Sequence, residues 1–358
     1  MRIGFDAKRY FYNRTGLGNY SRSLVNTLAQ TYANDHFVLF IPGNPVFEPA
    51  TANLHLHTLP KNLPLQRLLG IARHVQQEQI DVFHGLSNEI PLGLKRRGIA
   101  SVVSIHDVIF RRFPEYYPAV DRFIYHRKTA YAVKHADVVI ATSQATSNDL
   151  QEFYSVPPSK IQVLYQPIDP LWYGYEKSEP PARPYFLYIS SFTQRKNHGT
   201  LIQAFSAIHQ QTDCDLLLAG AAGPTLEQCK RFVQAEGLTH RVHFETDCEP
   251  GRLRVLAQQA RTFVYPSLFE GFGIPLAEAA AKGLPLAVSD TAIFRELAGE
   301  AALYFNPNRA ENMAAVMLDV LRPEYAAQLQ RGRETLLSKI KAEVMAEKLM
   351  GIYRELRG

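Results

Sequence analysis

Thirteen short apolar runs, separated by stretches long enough for a helix, constrain this chain more than any other feature. In the first half they are Arg2–Phe5, Phe37–Ile41, Leu54–Leu59, Asp81–His84, Ser101–Ile105, Val138–Ala141 and Ile161–Tyr165. In the second they are Tyr185–Ile189, Asp215–Ala219, Val242–Phe244, Thr262–Tyr265, Pro285–Val288 and Ala302–Phe305. Runs such as V-V-I-A and L-L-L-A lack the alternation of a strand with one wet face, so they predict strands covered on both faces. Helical patterns at Leu17–Tyr32, Thr200–Gln210, Thr225–Glu236 and Pro250–Ala260 lie between them. Repeated β–α order predicts doubly wound parallel sheets, an α/β fold.

A chain of 358 residues exceeds what one core usually supports, so two domains are expected. Residues 166–184 are proline-rich and aperiodic, which predicts an interdomain linker centred on 171–184. It divides a domain at 1–170 from one at 185–335, with ligand sites expected beyond the strand C-termini in a cleft between them. The tail Arg331–Leu356 reads as helical and amphipathic, able to pack on either domain.

Composition narrows the class. With 46% hydrophobic and 20% charged residues the chain is neither disordered nor fibrous. No apolar run reaches the roughly 20 residues that span a bilayer, and M-R-I-G-F-D-A lacks a signal-peptide core. Three scattered cysteines, Cys214, Cys229 and Cys248, form no C-x-x-C pair. A cytoplasmic location is therefore the expectation. The net charge of +5 falls mostly in residues 1–180, with 19 Lys/Arg against 15 Asp/Glu. Lys95-Arg96-Arg97 and Arg111-Arg112 are its clusters, read as a solvated face or as a peripheral contact with an anionic membrane or lipid-linked acceptor. No basic helix, stacking motif or zinc module points to nucleic acid.

The segment Glu270–Pro285, E-G-F-G-I-P-L-A-E-A-A-A-K-G-L-P, carries the clearest chemistry. A glycine-rich loop leaves an apolar strand and opens a helix, offering backbone N–H groups and a positive dipole end to an anion. Glu270 on the loop and Glu278 in the helix add two carboxylates, suited to the hydroxyls of a ribose and a sugar. A nucleotide sugar fits that combination. Arg195-Lys196, before the first helix of the second half, are unfavourable at a helix N-terminus unless an anion lies between them. An arginine fork and a lysine suit a diphosphate. His106 ends a strand and could donate to a sugar hydroxyl or be satisfied by Asp107; His84 is equally open. Gly16 and Gly18, in Arg14–Asn19, permit close backbone approach at a helix start, without the dinucleotide fingerprint. Ser143 reads as a helix N-cap.

The segment P-S-L-F-E-G-F-G-I-P-L-A-E-A-A-A-K-G-L-P resembles the signature of the retaining glycosyltransferases of family 4, whose fold is GT-B. G-L-G-N-Y, S-I-H-D, A-T-S-Q-A-T, Y-I-S-S-F-T-Q-R-K-N and L-A-G-E-A-A-L-Y-F-N-P resemble further family blocks in order along the chain. The resemblance implies two Rossmann-like domains, the first binding acceptor and the second the donor, with a helix at 336–358 crossing back to the first. Arg195 and Lys196 would neutralise the leaving diphosphate. The backbone of Phe272, Gly273 and Ile274 would bind sugar and phosphates, with Glu270 on the sugar and Glu278 on the ribose. His106 would lie against the transferred sugar, and Gly16 and Gly18 would admit donor and acceptor. The chain departs from the pattern at Ile189–Ser191, where a Gly-Arg pair is usual, and at Thr246, where a glycine is usual.

The resemblance thus implies a retaining, metal-independent hexosyl transfer, mannose favoured. It would run from a GDP- or UDP-linked sugar to a glycan or lipid-linked glycan during surface polysaccharide synthesis, with no cofactor. Retention would come from front-face substitution through an oxocarbenium-like state. Alternatives are a nucleotide-sugar epimerase on the same fold and a non-catalytic carbohydrate-binding scaffold.

Overall fold

The structure, a computed structural model, describes residues 1–13, 16–49, 51–59 and 64–358, and of 64–69 only the backbone. Arg14 and Thr15, which open the Arg14–Asn19 segment, lie outside the described residues. The chain forms two compact units, Met1–Asp169 with Ile340–Gly358, and Pro170–Lys339.

The first unit holds a seven-stranded parallel sheet in the order β3-β2-β1-β4-β5-β6-β7. Its strands are β1 (Arg2–Asp6), β2 (His36–Pro42), β3 (Leu54–Leu59), β4 (Val82–Gly85), β5 (Ala100–Ile105), β6 (Val138–Ala141) and β7 (Ile161–Val163). The second unit holds six parallel strands in the order β10-β9-β8-β11-β12-β13. These are β8 (Tyr185–Ile189), β9 (Asp215–Gly220), β10 (Val242–Thr246), β11 (Thr262–Tyr265), β12 (Leu286–Ser289) and β13 (Ala302–Phe305). The apolar runs without alternation are the interior strands: β4, β8, β9, β11 and β12 are buried at every residue. The edge strands β3 and β10 are half-wet, buried only at Leu54 and Leu59 in the one and at Val242 in the other.

In the first unit the helix Gly16–Thr31 and the terminal helix Ala342–Arg357 cover one sheet face, seating Leu24, Val25, Leu28, Leu349, Met350 and Tyr353 in one core. Burying each such side chain contributes about 1.5–3 kcal/mol. The strand order reverses between β1 and β4 in this unit and between β8 and β11 in the other, which places a crevice beyond those strand ends.

Two boundaries differ from the sequence expectation. The tail is two helices, Ala326–Lys339 and Ala342–Arg357, broken where Lys341 turns extended. Ile340–Gly358 belongs to the first unit and the second runs to Lys339, not 335. No proline or glycine marks the break, so periodicity read through it. The expected linker 171–184 is part of the second unit: Trp172 is buried, and Gln258 both donates to the Glu176 carbonyl and accepts from its N–H at 2.8 Å. Arg254 pairs with the Glu176 carboxylate at 2.7 Å. Proline-rich sequence here means irregular backbone, not a free tether.

Candidate active site

In the second unit, β8 and β11 deliver their loops side by side at the switch point. After β8 the chain makes a 3-10 turn, Gln194–Lys196, then a left-handed Asn197, then the helix His198–Ile208. After β11 it runs through Pro266–Gly273 into the helix Ile274–Ala281. Leu268 N–H donates to the Arg195 carbonyl at 2.9 Å, tying the two loops together.

This join sets Glu270 between the two cations. Lys196 Nζ donates to Glu270 Oε1 at 2.5 Å, and Arg195 donates to Oε2 at 3.0 Å and to the Phe269 carbonyl at 2.9 Å. Lys196 and Glu270 are both buried. Burial alone would raise the pKa of Glu270; the Lys196 ammonium and then the Arg195 guanidinium overcome it and hold it at about 2. The anion required by two cations ahead of a helix is thus supplied, in this structure, by the chain's own carboxylate. Two cations sharing one carboxylate keep a net positive charge, which suits an incoming polyphosphate. Tyr188 fixes the backbone behind them, donating to the Lys196 carbonyl at 2.9 Å and lying 3.1 Å from Ser267 Oγ.

Gly273 caps the helix Ile274–Ala281 with φ +101°, a conformation that requires glycine. Pro275 follows in its first turn. A Cβ on Gly273 would also press on the Phe294 ring at 3.0 Å. Phe272 is buried, Ile274 half-buried, and Glu278 is buried one turn into the helix. The D-x-D spacing at Asp213–Asp215 lies at the other end of the sheet, where β9 begins. There Arg183, Arg241 and His243 occupy the Asp215 carboxylate.

In the first unit, His106 follows β5 and is buried. Its Nε2 donates to the Leu86 carbonyl at 2.9 Å and its Nδ1 accepts from Gln166 Nε2 at 2.7 Å. Burial holds its pKa down at about 4, so the ring is neutral. Its partners are therefore Gln166 and Leu86 rather than Asp107, and the N–H expected to serve a sugar is engaged within the protein. His84 is no surface ligand either. It is fully buried, with Nδ1 at 2.5 Å from Tyr353 Oη and Nε2 at 2.8 Å from Ser104 Oγ, its pKa lowered by burial to about 3. Ser104 meets Tyr20 Oη at 2.7 Å, and the Tyr20 ring stands edge-on to His106 at 4.6 Å. Tyr20 belongs to the helix Gly16–Thr31, so Gly16 and Gly18 are on the element that touches His106. At Gly18 a Cβ would lie 1.8 Å from the Asn13 carbonyl oxygen, which only glycine avoids; Gly16 faces open space.

A cavity of about 260 Å³ opens beside this ring, lined by Arg9, Leu17, Asn88, His106, Asp107 and Lys128 among others. Sequence reasoning does not single out Arg9 or Gln166. Arg9 sits just past the C-terminal end of β1, and that position at a switch strand is the signal that could have found it. Ser143 is the N-cap anticipated, its Oγ accepting from Thr146 N–H at 3.0 Å. Arg112 of the basic cluster pairs with Asp149 at 2.6 Å and with Glu152.

Two Rossmann-like units, one with a cation pair on a buried glutamate ahead of a glycine-capped helix, define a GT-B glycosyltransferase. Residues 14–171 match the family described as Glycosyltransferase Family 4, and residues 176–334 that described as Glycosyl transferases group 1. The chain belongs to this family and is a glycosyltransferase. It is 28% identical to the O-antigen chain mannosyltransferase B of Escherichia coli, over 90% of this chain and 91% of that one. It is 27% identical to the GDP-mannose:cellobiosyl-diphosphopolyprenol alpha-mannosyltransferase of Xanthomonas oryzae pv. oryzae, over 75% of this chain and 74% of that one. In fold it is similar to the sucrose-phosphate synthase of Thermosynechococcus elongatus (TM-score 0.78, 20% identity, 99% of each chain covered). It is likewise similar in fold to the lipopolysaccharide glycosyltransferase WaaG (TM-score 0.72, 16% identity, 99% of each chain covered).

Proposed function

We propose that this glycosyltransferase moves mannose from GDP-mannose to a glycan or lipid-linked glycan in surface polysaccharide synthesis, with retention and without a metal. The observation that carries the donor class is the pair Arg195 and Lys196 on buried Glu270, beside the helix that Gly273 caps. A nucleoside diphosphate would draw these cations from Glu270, freeing that carboxylate for sugar hydroxyls while the guanidinium, ammonium and loop N–H groups carry the developing charge. Glu278 would take the ribose, Phe272 and Ile274 the sugar and phosphates. The neutral His106 would present a ring edge to the transferred sugar, and Gly16 and Gly18 a close backbone. The choice of mannose rests on the names of both mannosyltransferase relatives, and that of guanosine on the GDP-mannose relative alone.

The acceptor would enter from the first unit, whose helix Ala119–His135 exposes Val120, Phe123 and Ile124 alongside Arg127 and Lys128. Apolar side chains interleaved with cations suit an anionic membrane carrying a lipid-linked acceptor. No helix among the described residues is long and apolar enough to cross a membrane.

The test is incubation of the full chain with radiolabelled GDP-mannose and a short polyprenyl-diphosphate glycan, with and without EDTA. An α-mannosylated lipid formed equally in both is expected. Hydrolysis alone, interconversion of the free nucleotide sugar, or transfer only after divalent ion is restored would each overturn the corresponding part of the reading.

A further inference from the structure

Another cavity lies in the second unit, at the end of its sheet opposite the Arg195–Lys196 loop, where β11 and β12 begin. It measures about 570 Å³ and is lined by four cations, Arg261, Lys282, Arg322 and Arg333, and by no carboxylate. The helix Ala326–Lys339 contributes Ala326, Leu329 and Arg333 to its wall, and the 3-10 turn Pro323–Tyr325 runs into its start, the Ala326 N–H donating to the Pro323 carbonyl.

Two of the four cations have ordinary structural work. Arg322 pairs with Asp319 at 3.2 Å and Glu324 at 3.8 Å. Lys282 follows the C-terminus of the helix Ile274–Ala281, where a cation is favoured, and donates to the Gly174 carbonyl at 2.5 Å. Arg261 and Arg333 have no carboxylate partner among the described residues. Arg333 is also accommodated by the backbone: a Cβ on Gly283, which has φ +81°, would lie 2.7 Å from its guanidinium nitrogen. Like charges gather around one open cavity, Arg261 exposed and Arg333 half-buried, and an anion between them would offset their repulsion.

We propose that this cavity binds a phosphate-bearing anion, held by Arg261 and Arg333. Two guanidinium forks match phosphate oxygens in pairs. The cavity is larger than a bare ion needs, which leaves room for the group the phosphate is attached to. It is distinct from the donor site: the helix Ile274–Ala281 has Gly273 at one end and Lys282 at the other, so these are separate ends of one element.

The experiment titrates pyrophosphate, at constant ionic strength, into the full-length protein, R261Q/R333Q and K196Q, reading thermal stabilisation and calorimetric affinity. A saturable site is expected in the wild type and in K196Q, weakened at least about tenfold in R261Q/R333Q. R261K/R333K, which keeps both charges, should retain binding within a few fold, and circular dichroism confirms that the variants fold. A parallel arm floats each protein with vesicles of phosphatidylglycerol and phosphatidylcholine. Flotation lost in R261Q/R333Q, with no pyrophosphate binding, assigns the anion to a lipid headgroup; pyrophosphate binding alone assigns it to a soluble phosphate. Binding of neither, or binding that R261Q/R333Q leaves unchanged or K196Q alone abolishes, overturns the proposal.

Discussion

The candidate sites of the two units are built from opposite materials. In the second unit the site is ionic: Lys196 and Arg195 close on Glu270, and the carboxylate stays charged because two cations outweigh its burial. In the first a neutral network underlies the cavity that Arg9, Asp107 and Lys128 also line: Tyr353, His84, Ser104 and Tyr20 pass hydrogen bonds to one another beneath His106, and burial keeps both imidazoles uncharged. An ionic cluster can exchange one anion for another, as binding a diphosphate requires. A neutral network fully satisfied within the protein exchanges nothing and instead fixes a shape. Anion exchange thus belongs to the ionic cluster and a fixed shape to the neutral network.

The sharpest way to break this contrast is Lys196→Ala. It leaves Glu270 buried with Arg195 still paired to it, and losing one partner of a buried pair costs about 3–5 kcal/mol. Denaturant unfolding should show that loss, and turnover should fall at least a hundredfold on saturating donor. Full stability and turnover in Lys196→Ala would mean that the ion pair is incidental. K196A combined with Glu270→Gln should recover most of the stability, since the uncompensated charge is gone, and none of the activity.

A backbone test comes next. Gly18→Ala forces a Cβ into the Asn13 carbonyl and should cost about 3 kcal/mol, whereas Gly16→Ala meets open space and should leave the unfolding midpoint unmoved. Equal effects from the two would show that the sequence motif, not the local geometry, governs this turn. In the neutral network, Tyr353→Phe strands one nitrogen of His84 and should cost about 2 kcal/mol with donor KM unchanged. A rise in donor KM in Tyr353→Phe would assign this network a part in donor binding.

These contrasts also explain what the sequence disclosed. Interior strands were legible because a parallel strand buried on both faces must be apolar throughout, as Y-F-L-Y-I and D-L-L-L-A-G are nearly so. The ionic cluster stood out because two cations before a helix defy a local rule, and because a glycine-rich loop leads from an apolar strand into a helix. The neutral network left no such mark. Tyr353 is 269 residues from His84, Tyr20 is 84 from Ser104, and each reads alone as an ordinary core or polar residue. The helix break at Ile340–Lys341 was invisible for a related reason, since both flanks keep helical periodicity and only the change of packing partner interrupts it.

The smallest effect separates the two materials by pH. His84, His106 and His198 are held by burial at about 3, 4 and 3, against an ordinary 6.5. Below about pH 6.5 the unfolded chain takes up protons that the folded chain refuses, so their stabilising contribution is complete above that pH and is lost as pH falls. Each group contributes a slope of at most about 1.4 kcal/mol per pH unit. Glu270, lowered from 4.5 to about 2, acts later: its contribution is present above about pH 4.5 and is lost between there and 2. The window from 6.5 to 4.5 therefore belongs to the histidines: His84 and His106 in the first unit and His198 in the second, joined by His74, His126 and His135 of the first unit, which partial burial and neighbouring positive charges also lower. Denaturant midpoints across that window should fall less steeply in His84→Gln than in the wild type, by about one proton. Hydrogen exchange should place the change in the first unit. An unchanged slope would mean that His84 titrates normally in the fold and is not part of a neutral network.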